Sequence, residues 1–247
     1  MMRELFKSCD AKAEKVGTLP LEIDTVARCE RGKPVPSMIP LVTKNFSSDN
    51  LFEYKSEADK ASKQSLSKLL GYVGLYCDQH GIGIDEVCNR VTAWYISAKR
   101  PPFLDGLLAS RAATSASDIG VYDVIARFPC PCRVVVCDEL DVNEANIPLL
   151  ALGSVGTVKK AIEQLARAGP EMRRAMGRIK SLIYYFYHDE VKNMTEMKEF
   201  TPKDIRRNVK HAIEEIGIEE TIEEIGIDKV EAALAKLKAN RSSKKPK

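Results

Sequence analysis

Cys132-Arg133-Val134-Val135-Val136-Cys137, preceded by Pro129 and Pro131, is the stretch whose reading decides the fold. A β-branched run beside chain breakers is a strand signal, and no other segment carries one as clear. One strand cannot make a sheet. It can pair with residues such as Leu41-Val42-Thr43 in a small ribbon, or with another subunit. The fold expected around it is therefore mainly α: two loosely separated helical lobes, an extended N-terminal arm and at most a small β ribbon.

Downstream, Val158, Ala161, Ile162 and Leu165 keep the three-and-four spacing of an amphipathic helix. Gly169-Pro170 closes it and opens another, whose stripe is Met172, Ala175, Met176, Ile179, Leu182, Ile183 and Phe186. Thr201-Pro202 starts a third helix with Ile205, Val209 and Ala212 on one face. The run Ile213-Glu214-Glu215-Ile216-Gly217-Ile218 then returns as Ile222-Glu223-Glu224-Ile225-Gly226-Ile227, a period too short for a helical solenoid.

Upstream, residues 103–113 and 118–128 read as short helices. Asp85 caps a helix whose buried side is Val87, Cys88, Val91, Trp94 and Tyr95. Residues 56–80 form a further helix through Leu66, Leu69, Leu70, Val73 and Tyr76, in which Gly71 and Gly74 cost about 1 kcal/mol each and suggest close packing against a neighbour. Three prolines within 34–40 keep that segment extended. The resulting division is an extended region 1–50, a helical lobe 51–128, a strand and connection 129–141, a second helical lobe 142–235 and a basic tail 236–247.

The totals narrow the class rather than the function. A chain of 247 residues with 44% apolar and 30% charged residues can bury a substantial core. The net charge of +3 hides an asymmetry: eight acids face one lysine over 214–231, whereas six bases face no acid over 236–247. Such a tail suits nucleic acid or an acidic partner. No apolar run reaches a membrane span, the first residues lack a secretory signal, and seven cysteines form no regular framework. A cytoplasmic protein with reduced thiols and no membrane partner is expected.

Nucleotide, serine-hydrolase and zinc-protease motifs are absent: there is no Gly-x-x-x-x-Gly-Lys-Ser/Thr, Gly-x-Gly-x-x-Gly, Gly-x-Ser-x-Gly or His-Glu-x-x-His. Cys77, His80, Cys130, Cys132 and Cys137 could offer soft ligands to zinc, but their spacing is not that of a finger, and apolar buried thiols are the plainer reading. No cofactor, metal or catalytic residue is assigned.

Cations and aromatic rings remain. Lys99 and Arg100 end one expected helix; Arg173, Arg174, Arg178, Lys180 and Tyr184 line another; Arg206, Arg207 and Lys210 cover a third. Brought onto one surface, these would neutralise phosphates and stack bases of a single strand. The function expected is that of a non-enzymatic protein coating or packaging single-stranded RNA, self-assembling as a homo-oligomer, a plan that resembles nucleoproteins and coat proteins in outline. A helical protein-interaction adaptor is the first alternative. An enzyme whose site is assembled from scattered residues is the second, and it requires polar groups with shifted ionisation gathered in a concavity.

Overall fold

The computed structural model describes residues 10–15, 22–29, 40–125, 130–177, 180, 183, 187–191 and 193–194. The chain divides into two compact units, Met1–Met197 and Lys198–Lys247, and everything described belongs to the first. In chain order the elements are β1 (Asp10–Lys15), β2 (Glu22–Arg28), α1 (Pro40–Thr43), β3 (Asp49–Lys55), α2 (Lys63–Gln79), α3 (Ile84–Arg90) and β4 (Val91–Ser97). These are followed by α4 (Pro102–Ala109), β5 (Ala113–Ser115), β6 (Val121–Val124), β7 (Cys132–Val136), α5 (Ile147–Leu150), α6 (Val155–Arg167), α7 (Pro170–Ala175) and α8 (His188–Val191).

The strands form one seven-stranded mixed sheet in the order β1-β2-β3-β4-β7-β6-β5. At its centre β3, β4 and β7 run parallel, Asp49 pairing with Val91 and Ala93 with Cys132. On one side β1, β2 and β3 alternate in direction, and on the other β5 and β6 run antiparallel to their neighbours. Helices cover both faces. Leu51, Val91, Ala93, Tyr95 and Val134 pack under Leu66, Leu69, Tyr72, Val73 and Tyr76 of α2. Phe52, Trp94, Ile96 and Val135 pack on the other face against Leu149 and Leu150 of α5 and Val158, Ile162 and Leu165 of α6.

The expectation of a mainly α fold is thus overturned: the protein is α/β, with one sheet through its middle in place of two helical lobes. The physical reason lies in β4. All seven of its residues are buried because it is covered on both faces, so its apolar residues do not alternate with polar ones and read as a helical stripe. Helix α3 ends at Arg90, and Val91 is already extended at φ −115°, ψ 138°. Of the helix expected at 118–128, the described residues 118–125 are not helical for another reason. Gly120 turns the chain at φ 78°, and a Cβ there would stand 3.0 Å from the Val136 carbonyl oxygen and the Leu140 side chain; β6 then pairs with β7. Leu41-Val42-Thr43 lies in α1, not in a ribbon. The helices expected at 56–80 and after Ser154 are present as α2 and α6, and the strand quoted at the outset is β7.

Candidate functional site

Strand residues alternate between faces, and β3 uses the alternation to place charge. Asn50, Phe52 and Tyr54 point toward α5 and α6, while Asp49, Leu51, Glu53 and Lys55 share the face under α2. Glu53 and Lys55 come last, where the parallel strands finish. From β2, Val26 pairs with Leu51 and Thr25 with Phe52, so the next step of the ladder sets Asp24 beside Glu53. The Tyr54 N–H donates to Asp24 Oδ2 at 2.8 Å, and Lys55 Nζ lies 2.5 Å from Glu53 Oε1. Helix α2 and β4 supply the remaining wall. The Ser65 and Tyr95 hydroxyls share a 2.7 Å hydrogen bond, and Lys68 Nζ stands 5.1 Å from the Tyr72 ring centre. The helix is started by the Ser62–Ser65 capping box.

The electrostatics of this cluster are unbalanced. Glu53 is 3% exposed; burial raises its carboxyl above the ordinary value and the Asp24 charge raises it further, against the bond and charge of Lys55. Asp24 is open to solvent, yet crowding by protein is the largest cause lifting its carboxyl, with Asp59 adding to it and the Tyr54 N–H, Lys55 and Lys68 opposing. Burial by itself would lower Lys55, but the hydrogen bond and charge of Glu53 outweigh it and its ammonium is held above the usual range. The pair is lopsided: the lysine is favoured as a cation, while the carboxyl remains costly to ionise because it is buried and also faces Asp24. The Tyr72 hydroxyl is buried beside Lys68, and its interaction with the ammonium favours the charged lysine.

Comparison with protein-family models, curated proteins and solved structures gives no match. The chemistry of the cluster has to be read from its own residues. None of Asp24, Glu53 and Lys55 stands out in the sequence. The signal was present in Ile23-Asp24-Thr25-Val26 and Leu51-Phe52-Glu53-Tyr54-Lys55, where period-two spacing puts the two charges of the second run on one face of a strand.

The cations that the sequence brings forward have separate fates. Lys99 and Arg100 follow β4. Lys99 pairs with Glu57, and Arg100 bonds Asp105 at 2.8 Å, Glu139 at 2.7 Å and the Tyr122 hydroxyl at 2.7 Å. Arg173 and Arg174 are exposed in the last turn of α7, a helix whose Met172 packs with the α5–α6 side of the sheet, across from the Asp24–Glu53 cluster. Lys180 is half-buried. Arg178, Tyr184, Arg206, Arg207 and Lys210 lie outside the described residues.

Cys77, Cys88, Cys130, Cys132 and Cys137 are free thiols, but Cys29 is disulfide-bonded, which departs from the expected set of reduced thiols. Burial pushes Cys130 up to about 12, the state of an inert thiol. Among the described residues, no group of three or more His, Cys, Asp or Glu side chains could hold a metal ion, and no helix is long and apolar enough to cross a membrane.

Proposed function

We propose that the protein is a divalent-cation-dependent phosphodiesterase acting on nucleic acid, with its site at Asp24, Glu53 and Lys55. The observation that carries this reading is that Glu53, at the carboxyl end of the parallel strand β3, meets Asp24 of the neighbouring antiparallel β2, two carboxyls that are both pushed up and share too little positive charge. The ends of such strands are where open α/β sheets bind ligands. Magnesium is commonly held by one or two carboxylates, the rest of its shell coming from water and substrate phosphate, so two acids without a third fit it. Asp24 and Glu53 would hold the cation, which supplies the missing positive charge and polarises a phosphoryl oxygen.

The chain's own residues then have distinct tasks. Lys55, favoured as a cation, donates hydrogen bonds and stabilises the negative charge that grows on the phosphoryl group as water adds and the P–O ester bond breaks. It acts as a fixed charge rather than as a base. The leaving oxygen and the attacking water exchange their protons with solvent. Lys68 brings a second positive charge to the same side, and the Tyr95–Ser65 pair fixes the wall behind it. Nucleic acid remains the proposed partner, while the proposed role moves from coating to cutting, because Lys99 and Arg100 are already occupied by carboxylates.

The test uses the purified full chain with magnesium or manganese on end-labelled single- and double-stranded RNA and DNA. Cation-dependent cleavage that disappears in Asp24→Asn and Glu53→Gln is expected. Absence of cleavage on all four substrates with either cation, or undiminished cleavage by Glu53→Gln, overturns the reading.

A further inference from the structure

Two buried tyrosines, Tyr72 and Tyr95, border the Asp24–Glu53 cluster, and neither hydroxyl takes part in the proposed reaction. They differ in what they hold. Tyr95 is the neighbour of Glu53 in the parallel ladder and lies on the same face of the sheet, under α2. Its hydroxyl meets Ser65 Oγ at 2.7 Å, and Ser65 Oγ in turn bonds the Ser62 N–H at 3.0 Å and the Ser62 carbonyl at 2.8 Å. The first turn of α2 is thereby pinned beside Glu53.

Tyr72 holds a charge. Lys68 stands one turn beyond Ser65 and Tyr72 one turn beyond Lys68, so the three follow one another along one stripe of the helix. Helical side chains lean toward the helix N-terminus, which here lies at the carboxyl end of β3. The lean carries the Lys68 ammonium toward Glu53 and brings the Tyr72 ring in behind it, with Nζ 5.1 Å from the ring centre. Lys68 is exposed and Tyr72 is 2% exposed, so a buried, rigid side chain grips a solvent-facing one. The interaction with the Tyr72 hydroxyl is the largest cause favouring the charged lysine, and the Glu53 charge adds to it. Lys68 in turn favours ionisation of Asp24 and Glu53. For packing alone, phenylalanine would fill the place of Tyr72 without the cost of burying a hydroxyl.

We infer that Tyr72 is a positioning residue of the Asp24–Glu53 site: its hydroxyl and ring fix the Lys68 ammonium where it meets a non-bridging oxygen of the substrate phosphate. The inference rests on the proposed phosphodiesterase reading and adds how the second cation is held. A lysine stem is flexible, and an ammonium left free in solvent would have to be ordered at the moment of reaction. A hydroxyl orients that ammonium without neutralising it, so its full charge is left for the charge that grows on the phosphoryl group.

Competitive acetylation of the full chain, read by mass spectrometry at Lys68, tests the hold without substrate. In Tyr72→Phe, Lys68 is expected to label about threefold faster, because a weaker hold on the cation frees more neutral amine, while Lys63 labels as before. Cleavage then tests the consequence. Lys68→Met is expected to lower kcat about a hundredfold and Tyr72→Phe about tenfold, both with little change in KM. The double variant is expected to match Lys68→Met alone. A purely structural tyrosine would instead add its loss to that of the lysine variant, and additive losses overturn the inference. So does an unchanged Lys68 labelling rate in Tyr72→Phe, whether or not the wild type cleaves. If Tyr72→Phe speeds labelling but the wild-type chain cleaves no strand, the phosphodiesterase reading falls and the hold of Tyr72 on Lys68 stands.

Discussion

Strand β3 carries two buried acids on one face, four residues apart, and treats them in opposite ways. Asp49, at the amino end, is 5% exposed and fully compensated. Arg90 Nε bonds its Oδ2 at 3.1 Å, the Tyr76 hydroxyl bonds its Oδ1 at 3.1 Å, and Arg28 lies 3.8 Å away while also bonding Tyr76 at 2.9 Å. Glu53, at the carboxyl end, has Lys55 and a second carboxylate. The first acid ties α2 and α3 to the sheet. The second is held in an environment that resists its charge, which a fold tolerates where a ligand supplies the balance.

The widest gap between the two ends is expected in catalysis. Glu53→Gln and Asp24→Asn should each lower cleavage at least 1,000-fold, about 4 kcal/mol on the barrier, with far-UV circular dichroism unchanged. Stability should move the other way with pH. A carboxyl raised above its unfolded value costs stability once ionised, so the cost is absent below the ordinary carboxylate range and grows as pH rises through the raised value. Urea unfolding of Glu53→Gln against the wild type should show the variant gaining ground as pH rises through that window and levelling above it; a gap independent of pH would mean that Glu53 is not strained.

Next in size is the response to a cation. At 100 times its dissociation constant, magnesium or manganese should stabilise the wild type by about 2.7 kcal/mol, seen as a rise in Tm that Asp24→Asn and Glu53→Gln lose and Asp49→Asn keeps. Equal shifts in all four proteins would erase the distinction between the two ends. Asp49→Asn should itself cost about 2 kcal/mol in urea unfolding, below the 3–5 kcal/mol of a fully buried pair because both arginines are partly solvated. Cleavage by the folded fraction should persist.

The smallest effect expected is at the surface of α2. Gly71→Ala and Gly74→Ala should each stabilise by about 0.5–1 kcal/mol, since a Cβ meets open space and alanine favours helix. Destabilisation at either position would mean that something packs there.

The division between what was legible and what was not follows element length and exposure. Helix α6 was legible because Val158, Ala161, Ile162 and Leu165 face the sheet while its other side is solvated, so burial and helical period coincide. Strand β7 was legible because Val134, Val135 and Val136 are β-branched and follow chain breakers. Strand β4 was not, because a strand buried on both faces removes the alternation by which strands are recognised. The candidate site was hidden for a related reason. Asp24 and Glu53 are about thirty positions apart and look, in the chain, like ordinary solvated acids; Asp49 and Glu53 look equally ordinary there.

By itself the sequence determined helices α2 and α6, the position of one strand and the balance of charge, since these depend on neighbours within a few residues. Only the tertiary structure decided that the strands join in one parallel-centred sheet and which acid meets arginine and which meets another acid. Hydrogen bonding between strands couples residues far apart in the chain, and burial makes a charge costly or harmless according to what it faces.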